Sequence, residues 1–182
     1  MLKRVFQYVK GTVHKQLIFR KLKSDLRIHA LCDADWASST ADRRSITGYY
    51  ISLNELGPPI SWKSKKQSSV ALSTCEAEYV LLSITCQEII HLARLANELL
   101  KYDLQPTIIK NDNQGALSLI KNPVKHSKSK HIDISYHFVR EVYSSGQIVL
   151  DYVPSEDNVA DIFTKPPKRH FLNKFGQFLF GH

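Results

Sequence analysis

Residues 27–64 read RIHALCDADWASSTADRRSITGYYISLNELGPPISWKS, and the fold turns on how this stretch is divided. RIHALCDADW (27–36) is a largely apolar run that ends in acids and reads as a strand. TGYYISL (47–53) is rich in β-branched and aromatic residues, which suit a pleated, packed surface. The turn ELGPP (55–59) separates it from a short third strand, ISWKS (60–64). Three strands joined by short connections predict an antiparallel meander.

Downstream the period changes. From Cys75 to Lys101 there is neither Gly nor Pro. Ala77, Leu81, Ile84, Leu92, Leu95 and Leu99 recur at helical spacing, so this segment reads as one long helix with Ser73 and Thr74 as candidate N-caps. TIIKN (107–111) reads as a strand, and Asp112 to Lys121 as a short helix stopped at Asn122-Pro123. Ile132 to Ser145 is helical, ended by Gly146, and Gln147 to Val153 is a strand. Ser155 caps a last helical stretch that Pro166-Pro167 interrupts. Strands that first pair locally and then alternate with helices imply an α/β domain. Its expected form is a five-stranded mixed sheet, three antiparallel strands and then parallel additions, with helices on its faces.

Three segments are expected. Residues 1–24 form a basic helical lead, with Leu2, Val5, Phe6 and Val9 on one face and Gly11 as a helix end. Residues 25–165 form the α/β domain. Residues 166–182 are an aromatic tail in which Phe171, Phe175 and Phe178 are expected to pack against the body or the lead.

The chain has 182 residues, 43% of them hydrophobic and 23% charged, the composition of a globular domain. No apolar run approaches the roughly 20 residues of a membrane helix, and no signal peptide is evident, so the expectation is a soluble intracellular protein without membrane contact. The net charge of +8 favours a polyanionic partner. Cys32, Cys75 and Cys86 are odd in number and lack CxxC spacing, which argues against a disulfide framework or a cysteine zinc site. Oligomeric state leaves no signature.

The chemistry is carried by acids at element ends. Asp33 and Asp35 end the first strand, and Glu76 and Glu78 open the long helix. Asp112 follows an apolar strand, and Asp157 and Asp161 begin the last helix. Hard divalent cations such as Mg²⁺ take oxygen ligands from a few carboxylates, and two such ions can serve in-line hydrolysis of a phosphodiester. A helix advances about 100° per residue, so Glu76 and Glu78 point about 160° apart and cannot serve one site equally.

In order, LCDADWA (31–37), DRRSITGYYISL (42–53), ISWKSKKQSSVALSTCEAEY (60–79), NDNQGALSLIKNPVKHSKSKHIDISYHFVRE (111–141) and YVPSEDNVADIFTK (152–165) resemble the successive signatures of the ribonuclease H domain of copia/Ty-type LTR retrotransposon Pol polyproteins. KRVFQYVKGT (3–12) resembles the stretch joining reverse transcriptase to that domain. The resemblance implies the ribonuclease H-like fold and endonucleolytic cleavage of the RNA strand of RNA/DNA hybrids during reverse transcription. It implies two Mg²⁺ ions, with Mn²⁺ as a substitute, and 3′-hydroxyl and 5′-phosphate ends. The reverse transcriptase part of the same polyprotein is the implied partner, in a cytoplasmic virus-like particle of an active element. The metal-binding acids carry over onto Asp33, Glu78, Asp112 and Asp161. Glu76 is the rival of Glu78, while Asp35, Asp133 and Asp157 read as structural or capping.

Gln114 resembles a minor-groove contact, and Ser73 and Thr74 suit a phosphate of the DNA strand. Lys63, Lys65 and Lys66 form one basic cluster, and Lys121, Lys125, Lys128 and Lys130 another. His126, His131 and His137 lack cysteine partners and read as orienting or packing residues rather than zinc ligands. Residues 148–160 contain no His of the kind many cellular ribonucleases H carry before the fourth acid, so water activation would fall mainly to metal. The alternatives are a catalytically silent binding or structural relic and an integrase-type strand-transfer enzyme. The latter places its Glu last, unlike the order here.

Overall fold

The computed structural model describes residues 2–19, 26–55, 57–122, 130–166 and 169–180, without the side chains of 130–132, 169, 177, 178 and 180. Lys125, His126 and Lys128, and the side chains of Lys130, His131 and Phe178, therefore lie outside the described residues.

A five-stranded mixed sheet has the order β3-β2-β1-β4-β5. β1 (His29–Asp35), β2 (Ile46–Ser52) and β3 (Pro59–Lys66) form the expected antiparallel meander. β4 (Thr107–Asn111) joins β1 in parallel, and β5 (Ile148–Tyr152) joins β4 in parallel. The crossover from β3 to β4 runs through α2 (Thr74–Leu100). β1 is central and packed on both faces, so its apolar residues form a run instead of alternating. β3 is an edge, and its lysines blunt it against further pairing.

One face of the sheet carries α2, α3 (Gln114–Lys121) and α4 (Lys130–Ser144). Cys32 and Ile51 of the strands pack there with Leu82 and Ile89 of α2, Ile120 of α3 and Val139 of α4. The opposite face carries α5 (Asp161–Thr164) and α6 (Arg169–Phe180). Leu31 and Tyr50 meet Val159, Ala160 and Phe175 there, with Phe171 alongside. Phe175 of the aromatic tail is thus fully buried against the body. α1 (Leu2–Thr12) has no buried residue, and its apolar face of Leu2, Val5, Phe6 and Val9 stays exposed.

Two details of α2 differ from the periodic reading. Its buried stripe includes Glu78, Leu82, Cys86, Ile89 and Ala93, so Glu78 lies on the core face, although the apolar spacing of Ala77, Leu81 and Ile84 did not include it. Leu95 and Leu99, placed on that face by spacing, are exposed. A 27-residue helix is about 40 Å long, whereas strands of five to eight residues span about 17–27 Å, so the C-terminal turns overhang the sheet. Ser73 caps the N-terminus by accepting from the Glu76 N–H at 3.2 Å. The buried Gln67 amide donates to Thr47 Oγ1 and to Ala77 O, both at 3.0 Å, and so ties the first turn of α2 to β2.

Candidate active site

β1 and β4 are parallel, so their C-terminal ends open at the same edge of the sheet, where α/β folds commonly place their sites. Asp33 lies near the end of β1, Asp112 just beyond β4, and Glu78 in the second turn of α2. One carboxylate oxygen from each lies within 4.8 Å of the others, which makes an all-oxygen group able to hold a metal ion. They open into a cleft of about 600 Å³, whose lining includes Trp36, Thr74 and Gln114. Asp35 also lines it.

Each acid is gripped by a side-chain donor that the sequence did not announce. Thr164 Oγ1 donates to Asp33 from α5. Asn111 Nδ2 donates to Glu78 Oε2 at 2.8 Å, and Ser155 Oγ to Asp112 Oδ2 at 2.5 Å. A carboxylate offers about four lone-pair sites, so one donor orients it and leaves capacity for a ligand. Asn111 and Asn158 also both donate to the Cys32 carbonyl, at 3.1 and 2.9 Å. β4 ends opposite Cys32, and these two amides stand in for the strand that is no longer there.

α5 reaches Asp33 because β2 is bare beneath it. Gly48 pairs directly with Asp33, and a Cβ at Gly48 would sit 2.7 Å from Thr164 Cγ2 and 3.0 Å from Ala160 O. Asp161, the first residue of α5, belongs to the same neighbourhood but not to the group of three. Its carboxylate is paired with Lys165, one helical turn on.

Burial dominates the electrostatics of the acids. Burial, reinforced by the charges of Asp33 and Asp112, pushes Glu78 up to about 8, against the lowering donors Asn111 and Ala34 N–H. Burial pushes Asp33 up to about 6, with Asp112 and Asp161 adding to it and Thr164 and Lys165 opposing. A folded Glu78 that titrates near 8 holds a proton across the range where an unfolded glutamate, near 4.5, has lost it. Stability of the metal-free chain therefore falls as pH rises toward 8. His29, lowered chiefly by burial, works the other way only below the ordinary histidine value of 6.5. We expect the melting temperature in EDTA to drop between pH 6.5 and 8.5, and the drop to shrink in Glu78→Gln. A flat profile for the parent, or an unchanged slope in the variant, would contradict this assignment.

The remaining sequence-selected residues divide. Glu76 turns away and accepts from the Leu72 N–H at 2.5 Å. Ser73 is committed to its cap, whereas Thr74 and Gln114 line the cleft. Lys65 and Lys66 do not form a cluster, because successive strand residues point to opposite faces. Lys63, over the Tyr49 ring, and Lys65 share the α2 face, while Lys66 pairs with Asp42 at 2.8 Å. Lys121 is exposed. Asp133 pairs with His137 across one turn at 3.1 Å, and Asp157 with Lys174 at 2.6 Å. Both acids and His137 therefore serve the helical surface, away from the cleft.

The retrovirus-related Pol polyprotein from transposon RE2 of Arabidopsis thaliana is 42% identical to this chain over 176 residues, 97% of it. The corresponding polyprotein from transposon TNT 1-94 of Nicotiana tabacum is 37% identical over 174 residues, 96% of the chain. The chain spans 12% of the length of each of these relatives. No protein-family model matches it. Among solved structures, the N-terminal RNase H domain of rv2228c from Mycobacterium tuberculosis superposes with a TM-score of 0.58 at 12% identity, over 84% of this chain and 98% of that one. LC11-RNase H1, isolated from compost and solved in complex with an RNA/DNA hybrid, gives 0.53 at 15% identity, over 76% of this chain and 93% of that one. At such identities the structural likeness speaks for the fold, while the sequence relatives speak for descent. The chain belongs to the retrovirus-related Pol polyproteins of copia-type transposons, as the segment of them that has the ribonuclease H fold.

Proposed function

We propose that the chain is the ribonuclease H of its element and hydrolyses the RNA strand of RNA/DNA hybrids with a divalent metal, Mg²⁺ by preference. The observation that carries this reading is the group of three carboxylates, drawn from three separate elements into one cleft. Two of them, Asp33 and Glu78, are buried, and burial together with the neighbouring carboxylates raises their pKa values, a cost that a bound cation would offset. The donor set is all oxygen, as a hard divalent ion requires, and no histidine or cysteine lines the cleft among the described residues.

Asp33, Glu78 and Asp112 would hold the ion, with Asp161 joining once its carboxylate leaves Lys165. Metal bound there supplies an activated water and charge stabilisation at the scissile phosphate. Glu78 would have to give up its proton to serve as a ligand, so a metal would be held more tightly as pH rises through the neutral range. Thr164, Asn111 and Ser155 hold the three acids in place, so little is spent on ordering them. Thr74 and Gln114 lie where a hybrid seated on the acids would pass. The excess of basic residues favours a phosphate backbone, with the hybrid read by shape and 2′-hydroxyls. The reverse transcriptase portion of the polyprotein is the natural partner, since the relatives carry far more chain than this segment.

The test is incubation of the purified chain with labelled RNA/DNA hybrid and with duplex DNA of the same sequence. Cleavage of the hybrid's RNA strand in Mg²⁺, none in EDTA, and intact duplex DNA are expected. Hybrid left whole by a folded chain in both Mg²⁺ and Mn²⁺ would instead establish a silent relic. Equal cutting of duplex DNA would overturn the substrate assignment.

A further inference from the structure

Trp36 stands at the rim of the acid cleft, three residues after Asp33, and is 42% exposed. It is exposed and yet held. Its Nε1 donates to Ala71 O at 3.0 Å, tying the ring to the segment that leads into α2. The next residue, Ala37, has φ 50°, a left-handed conformation that a residue with a Cβ disfavours. Its N–H donates to the Oγ of the fully buried Ser45 at 3.1 Å, and Ser38 Oγ donates to Asp35 O at 3.1 Å. The turn is thus fixed several times over, as strained backbone must be to persist. What it fixes is the path by which the indole leaves β1 and enters the cleft. A packing role would bury the ring, and a solvated turn has no use for a pinned indole.

We propose that Trp36 is a binding residue for the RNA/DNA hybrid, with its ring face lying against a sugar of the strand that runs past Asp33. This inference rests on the hybrid reading given above. A ring already pinned has lost its rotamer freedom, so little further ordering opposes the contact. Its only polar atom is satisfied within the protein, which makes the exposed face apolar and blind to sequence. That suits a duplex whose bases are stacked inside and whose shallow groove displays sugars and 2′-hydroxyls.

The chain contains two tryptophans, which permits a direct test. Trp62 lies on β3 in a separate apolar groove with Ile162 and Phe163. In Trp62→Phe, Trp36 is the sole indole. In Trp36→Phe, Trp62 is. Each protein is titrated in EDTA at low salt with RNA/DNA hybrid, while anisotropy of a labelled copy reports binding independently. The expected result is emission from Trp36 that changes in step with the anisotropy, and emission from Trp62 that stays constant. Trp36→Ala, at a melting temperature matched to the parent, should bind hybrid about tenfold more weakly, the order of effect of truncating one aromatic anchor at an interface. Anisotropy that rises while Trp36 emission is unmoved would overturn the proposal, as would undiminished binding by Trp36→Ala. If Trp36→Ala fails to fold, the emission of the intact ring decides. Flat anisotropy with the parent chain would overturn the hybrid reading itself, and this inference with it.

Discussion

Glu78→Gln is expected to lower hybrid cleavage by several orders of magnitude, and Glu76→Gln to keep it within a few-fold of the parent. The two residues are neighbours in sequence and both open α2, but they do different work. Glu78 is 4% exposed, accepts from Asn111 and shares the three-acid group with Asp33 and Asp112. Glu76 accepts the Leu72 N–H outside that group, a role that a Gln carbonyl can also fill. Charge stabilisation through a bound metal is worth several kcal/mol, and each ~1.4 kcal/mol is a factor of ten in rate. Folding should not suffer, because Gln at position 78 keeps the shape of a buried side chain that the metal-free chain holds protonated. The comparison is made on hybrid in Mg²⁺ at matched melting temperatures. Loss of activity in the Glu76 variant with retention in the Glu78 variant would move the site to the other helical face.

The second large effect lies outside the cleft. Gly48→Ala should destabilise the chain by about 1–3 kcal/mol, the usual cost of overfilling a packed contact. The added Cβ would meet Thr164 Cγ2 at 2.7 Å and both Ala160 O and Phe163 Cβ at 3.0 Å. One of these is backbone, so the strain cannot be relieved by a rotamer change alone, and α5 must lift. Thr164 then leaves Asp33, and hybrid cleavage should fall with stability. Urea melts and cleavage assays on the one variant measure both. An unchanged urea midpoint would show that α5 does not press on β2.

The elements that bury apolar surface on a regular period were readable from the residues alone. β4 spans Thr107–Asn111 as TIIKN indicated, and β2 and α2 begin one residue earlier than their patterns suggested. Periodicity failed where geometry beyond the element decides. Leu95 and Leu99 keep helical spacing past the edge of the sheet, and Lys65 and Lys66 are adjacent in sequence but opposite in space. The three leading acids were legible because they close apolar elements or fall within a motif. Asn111, Ser155 and Thr164 were not. Each is a short polar side chain whose role exists only after residues as distant as 131 positions are brought together. Trp36 carried no periodic signal either, since its exposure depends on a turn that buries Ser45 and leaves the indole outside.

The carbonyl of Cys32 gives this arrangement a mechanical consequence. Because Asn111 and Asn158 share it, the β4 end that grips Glu78 and the loop that leads into α5 are joined at one acceptor. Breathing of one loosens the other, so amide protection at 111–113 and at 158–164 should be lost in one cooperative opening, the behaviour of a single foldon.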